Sequence, residues 1–104
     1  MIRKITETHT GKFLVERVQT GVRMEKRLLK VLKGLAEYLD MTLGDLLEGI
    51  VLHAFDGKCA FSPSTLARIQ DLKKLYALDL DASASHRLKE AKPVAGAKKE
   101  RRSK

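Results

Sequence analysis

The hydrophobic and polar positions of the chain change their period once, near residue 25. Ahead of that point apolar or β-branched side chains alternate with polar ones, which is the two-residue period of a half-exposed strand. No convincing second strand accompanies it, so this segment lacks a pairing partner within its own chain. The two alternating sets are Val18, Thr20, Val22 and Met24, and Arg17, Gln19, Gly21 and Arg23.

From about Glu25 the period becomes helical, and the pattern predicts a first helix. Its apolar positions follow the three-four spacing of one buried stripe. Gly34 falls in the middle of this helix, where glycine costs about 1 kcal/mol relative to alanine. Close packing against another helix is one reason for a glycine at such a place. The apolar positions are Leu28, Val31, Leu32, Leu35, Ala36 and Leu39.

A second helix is predicted to begin at about Leu43. Thr42, followed three residues later by Asp45, resembles a capping box with aspartate in place of Glu or Gln. Apolar residues lie nearly all round this helix, so it has to be enclosed. One partner helix cannot enclose it, whereas a second subunit can. Gly57 follows the last turn and predicts the end of the helix.

A third helix is predicted from Ser62-Pro63 to about Leu78, with the serine as cap and the proline at the first helical position. From Ala82 the pattern fades. Residues 89–104 combine low hydrophobicity with strong charge, which is typical of a disordered tail.

Composition favours a small domain that shares its core with a second copy. The chain has 104 residues, of which 33% are charged and 5% aromatic, so a monomer core is small. No stretch has the length of a membrane span, and the start lacks the apolar stretch of a secretion signal. The single cysteine, Cys59, excludes an intramolecular disulfide and fits a reducing compartment. We therefore expect a cytoplasmic protein with no membrane partner.

The formal net charge of +8 is distributed unevenly along the chain. Residues 1–33 hold nine Lys or Arg against three Asp or Glu, residues 34–86 hold four against eight, and residues 87–104 hold eight against two. A basic front and a basic tail favour binding to a polyanion. For the tail alone, a role in solubility explains the positive charge equally well.

Catalytic and metal-binding patterns are absent from the sequence. The three histidines show no ligand spacing with Cys59, and no Gly-rich phosphate loop, carboxylate pair or nucleophile motif occurs. We expect neither an enzyme nor a bound cofactor or metal.

The order of elements resembles the ribbon-helix-helix family of DNA-binding proteins, the Arc and MetJ superfamily. The resemblance covers about residues 16–56: the alternating QTGVRM, the spacing to LAEYL, and DMTLGDLLEGIVLHAF as the second helix. It implies a mainly α fold with one N-terminal β-strand, in an intertwined homodimer whose strands form an antiparallel β-ribbon between subunits, plus an extra C-terminal helix. The ribbon would enter the DNA major groove.

The resemblance also assigns site residues. The base-reading positions are Gln19, Gly21 and Arg23, where arginine suits guanine and glutamine suits adenine; the missing side chain of Gly21 limits this readout. Asp40 stands in the turn where the family often has glycine. The phosphate-binding set is Thr42, Leu43, Gly44, Arg17, Lys26 and Arg27. The dimer core is Val22, Met24, Leu32, Leu35, Leu46, Ile50 and Val51.

These patterns divide the chain into an N-terminal arm or small hairpin (1–15), a DNA-binding domain (16–57), an additional helix (58–81) and a basic tail (82–104). The leading hypothesis is a homodimeric transcriptional regulator that binds double-stranded DNA. One alternative is an antitoxin whose residues 63–81 bind a protein partner. Another is a dimerisation module whose basic tail binds nucleic acid without sequence preference.

Overall fold

The computed structural model describes residues 12–91, and three α-helices account for most of their regular structure. Helix α1 spans Lys26–Tyr38, α2 spans Leu43–Phe55 and α3 spans Pro63–Leu75, and a short 3-10 helix follows at Ala82–Ala84. The predictions for residues 1–11 and for the tail beyond residue 91 lie outside the described residues.

The predicted N-terminal β-strand is wrong, and so is the ribbon-helix-helix fold with its β-ribbon between subunits. Among residues 12–91 no strand forms, and the molecule is a small helical domain. Residues 12–23 are all exposed, and Val18 and Val22 keep 81% and 73% of their surface. Alternation sets which side chains share a face, but a strand also needs a neighbouring backbone to exchange hydrogen bonds with it. No described segment supplies that backbone to residues 14–25.

Capping side chains place the beginning of each helix. Glu25 precedes α1, and its carboxylate accepts from the Leu28 amide at 2.7 Å. Thr42 caps α2 by accepting from the Asp45 amide at 3.1 Å, and Ser62 caps α3 by accepting from the Thr65 amide at 3.2 Å. Each bond satisfies an amide that has no partner inside the helix.

All three helices end in a Schellman turn, with one residue in the left-handed conformation just after the C-cap. After α2 this residue is Gly57, with φ 69°. After α1 and α3 it is Asp40, with φ 59°, and Ala77, with φ 56°. In the α1 turn, for example, the Met41 amide donates to the Ala36 carbonyl at 3.0 Å. The shared turn reverses the chain sharply after each helix.

Helix α3 packs antiparallel against α1 along one stripe of each helix. Gly34 lies at the middle of the contact, where an added Cβ would stand 3.0 Å from a methyl group of Leu72. At one end the Lys30 ammonium lies 5.9 Å from the centre of the Tyr76 ring, and at the other the Arg68 guanidinium lies 4.7 Å from the Tyr38 ring. Gly34 thus allows the two helices to approach closely, which offsets its low helix propensity.

The core lies where α1 meets α2 and α3. Leu35 and Leu46 keep only 2% and 3% of their surface and form its centre together with Ala36. Partly buried side chains from all three helices and the α2–α3 loop surround them: Leu32, Leu39, Ile50, Phe61, Ile69 and Leu72. Further along the chain, Leu78 is buried just after the turn that ends α3. The additional C-terminal helix predicted from the sequence is therefore part of the main core.

Candidate nucleic-acid interface

The three predicted base-reading residues lie on the exposed segment that leads into α1. Gln19, Gly21 and Arg23 all face solvent, and nothing lies within 4 Å of the place where a Gly21 Cβ would stand. The Arg23 guanidinium donates to the Glu90 carboxylate at 2.5 Å, although the two residues are far apart in sequence. Arg23 is therefore exposed and paired with an acid from the C-terminal segment.

Arg17 holds the same segment against α2. Its Nε and Nη2 atoms donate to the two carboxylate oxygens of Glu48 at 2.8 and 2.7 Å. This is the bidentate geometry in which a guanidinium binds a carboxylate. The hydrogen bond from Arg17 lowers the pKa of Glu48 below its usual value. Because phosphate would need the same donors, Arg17 is engaged within the chain rather than free for DNA.

Arg27 is engaged more fully than Arg17. It donates to the Glu25 carboxylate at 3.0 Å, to the Ala77 carbonyl at 2.9 Å and to the Asp79 carboxylate at 3.1 Å. These bonds connect the start of α1 with the segment after α3. The side chain of Arg27 keeps 37% of its surface, so it has the most contacts and the least exposure of the three arginines.

Three lysines on α1 differ from these arginines because no carboxylate neutralises them. Lys26, Lys30 and Lys33 are exposed and lie on one side of the helix, since they are four and three residues apart. In the part of the chain that the structure describes, none of the three makes a hydrogen bond or ion pair, and the Lys30 ammonium lies over the Tyr76 ring. We call this set the lysine face; it is the largest uncompensated positive charge of α1.

The start of α2 offers backbone donors but also an acid. Leu43 and Gly44 are the first two residues of the helix, where amides have no partner within the helix. The Thr42 hydroxyl already accepts the Asp45 amide. Asp45 places a negative charge in the first turn, where it competes with any second anion for the helix dipole.

The outward side of α2 is apolar and exposed. Val51 keeps 43%, Leu52 64% and Phe55 80% of its surface, and Leu46 is the helix's only buried residue. We use the name α2 face for the surface formed by Leu47, Val51, Leu52 and Phe55. A groove of about 690 Å³ runs between this face and the exposed segment, where Phe13 and Val15 form the opposite wall.

The predicted dimer core is divided between two environments. Leu35 and Leu46 are buried within the chain, and Met24, Leu32 and Ile50 are partly buried. Val22 and Val51 remain exposed.

A second, smaller cavity of about 280 Å³ lies between α2 and the start of α3 and is lined mainly by apolar side chains, with His53 at its wall.

The partners of the arginines are the functional residues that the sequence pattern missed. Glu48, Asp79 and Glu90 lie 31, 52 and 67 residues away from the arginines they contact. No spacing rule connects residues so far apart. Only the pair of Glu25 and Arg27 could be expected from the sequence, because the two residues are close in the chain and Glu25 directly precedes α1.

Neither a metal centre nor a membrane span occurs between residues 12 and 91. No group of three or more His, Cys, Asp or Glu side chains there is arranged to hold a metal ion. No helix of that range is long and apolar enough to cross a bilayer.

Comparison with known proteins found no matching family model, no similar curated protein and no similar solved structure. The resemblance to ribbon-helix-helix proteins therefore rests only on the residues quoted for it.

Proposed function

We propose that this chain is a cytoplasmic, homodimeric protein that binds double-stranded DNA and acts as a transcriptional regulator. The lysine face carries the proposal: three exposed ammonium groups lie on one side of α1 without a carboxylate partner among the described residues. Uncompensated cations of this kind are what a phosphate backbone binds, with release of its counterions.

The dimensions of the lysine face suit a duplex. Lys26 and Lys33 are seven residues apart, which is about 10 Å along a helix axis. Successive phosphates of one strand advance by about 3.4 Å along the duplex, so the face spans about three of them. Lysine acts as a point charge at a phosphate and imposes no sequence preference.

Sequence readout is assigned to the exposed segment ahead of α1. The Gln19 amide carries the donor and the acceptor that match the edge of adenine, and the Arg23 guanidinium carries two donors that match the acceptors of guanine. Both side chains are exposed, and their segment leads directly into the lysine face. Gly21 between them supplies no side chain, which favours modest rather than strong selectivity.

Homodimerisation is supported by the α2 face. Leu52 and Phe55 expose most of their apolar surface on a helix whose only buried residue is Leu46. Contiguous apolar surface of this kind marks interaction sites in small proteins. A second copy supplies an identical face, and a twofold contact buries both faces at once. We therefore assign the second copy as the occupant of the α2 face.

No observation favours the antitoxin alternative over this one. Its binding segment, residues 63–81, includes α3, which contributes Ile69 and Leu72 to the core. The alternative based on the basic tail concerns residues that lie mostly outside the described range.

Charge-removing substitutions test the lysine face. Changing Lys26 and Lys33 together to glutamine is expected to weaken duplex binding on the order of tenfold and to reduce the slope of log K against log salt by about 0.9 for each lost phosphate contact. Fluorescence anisotropy with a labelled duplex over a series of salt concentrations measures both quantities.

The matched control is Lys58→Gln with Lys74→Gln, which removes the same charge elsewhere. Lys58 follows α2, and Lys74 lies on the side of α3 away from α1. The control is expected to keep the salt slope of the parent. Equal slopes for all three proteins would show that the lysine face does not contact phosphate.

A further inference from the structure

The segment after α3 runs back to the beginning of α1, where two of its carboxylates form ion pairs with arginine side chains. Asp79 accepts from Arg27 at 3.1 Å, and Glu90 accepts from Arg23 at 2.5 Å. The acids therefore occupy guanidinium groups beside the lysine face. A carboxylate and a phosphate present similar oxygens to arginine, so each excludes the other from the same donors.

The contacts of Arg17, Arg23 and Arg27 differ in how readily an external anion can replace them. Arg17 makes two bonds to Glu48, and Arg27 bonds to three separate partners. Arg23 has one bond, to Glu90, and both side chains keep 73% of their surface. An ion pair so exposed is weak and screened by salt. Of these three arginines, Arg23 is thus the one that an external anion binds most easily.

Glu90 also stands out from its surroundings in sequence. Arg87 and Lys89 precede it and Lys92 follows, so it is the single acid in a basic stretch. Without Glu90 this stretch would be repelled by Arg23. With it, the C-terminal segment is held at the proposed base-reading residue.

We propose that the Glu90 carboxylate is paired with the Arg23 guanidinium in the free protein and that a DNA phosphate or base displaces this carboxylate. The displacement releases residues 87–91 from the exposed segment. The inference rests on the proposed function, because it needs a duplex that competes for Arg23. Glu90 then acts as an internal competitor that lowers affinity for all duplexes.

Substitution of Glu90 by glutamine tests the competition. Glu90→Gln is expected to tighten duplex binding about two- to fivefold at low salt, the range that exposed ion pairs allow, and the gain should shrink as salt is raised. The control is Glu16→Gln, which makes the same charge change on the exposed segment, where Glu16 has no ion-pair or hydrogen-bond partner among residues 12–91.

A second readout follows the contact itself. A nitroxide attached at Ala91→Cys, in a protein whose Cys59 is replaced by serine, is expected to broaden the NMR signals of residues 22–24 in the free state. Added duplex should restore those signals. Glu90→Gln should weaken the broadening without DNA.

The outcomes separate this inference from the proposed function. If the parent binds duplexes but Glu90→Gln and Glu16→Gln tighten binding equally, the gain is one of net charge and the competition is refuted, while DNA binding stands. Broadening that persists at saturating duplex refutes the displacement. If the parent binds no duplex, the proposed function fails and the inference fails with it.

Discussion

Replacing Leu35 by alanine is expected to lower the free energy of unfolding by about 2–5 kcal/mol, the usual range for a buried leucine. Leu35 keeps 2% of its surface and packs with Ala36 and Leu46 where the three helices meet. Truncation removes the apolar contacts and leaves a cavity that the short helices fill only in part. Because small domains have about 5–15 kcal/mol in total, the loss is a large share of the stability.

Urea denaturation measures this loss as a lower midpoint with an unchanged slope. Leu75→Ala is the matched control, since Leu75 keeps 69% of its surface at the end of α3. All proteins are compared at one concentration, because the stability of a dimer depends on it. A midpoint for Leu35→Ala no lower than that of Leu75→Ala would show that the core lies elsewhere.

The second large effect is expected at the α2 face. Changing Leu52 and Phe55 together to lysine should weaken self-association at least about a hundredfold, because each apolar side chain contributes about 1.5–3 kcal/mol when buried and each occurs twice in a twofold contact. The substitution also brings like charges together across the interface. Sedimentation equilibrium measures the dissociation constant directly.

Leu66→Lys with Leu75→Lys is the corresponding control. It adds the same charge at exposed leucines of α3, which keep 41% and 69% of their surface. The control should sediment as the parent does, and circular dichroism should show the same helix content for all three proteins. A parent that stays monomeric at high concentration would remove the homodimer from the proposed function.

The helices were the predictable part of the fold, because their starts depend on nearby residues. Thr42 and Ser62 signal α2 and α3 by the spacing of a cap to the third amide, and both caps form. The end of α3 was less predictable. The pattern extends to Leu78, yet the helix ends at Leu75 because Ala77 takes the left-handed conformation, which alanine does not signal.

The N-terminal segment shows why a period alone does not define a strand. Val18 and Val22 alternate with polar residues as a strand requires, but their segment lies exposed without backbone pairing. The prediction of the site residues also lacked information on long-range contacts. Its residue types could be chosen from the sequence, but whether Arg17, Arg23 and Arg27 are free depends on acids up to 67 residues away.

Selection of preferred sites from a pool of random duplexes tests the central claim, a homodimer that binds double-stranded DNA. A twofold dimer presents the same reading surface twice, so the retained pool should be enriched in two copies of a short element in inverted orientation. Retention should fall as the salt concentration is raised. A protein that retains no duplex at low salt would contradict the account, as would a retained pool with the composition of the input.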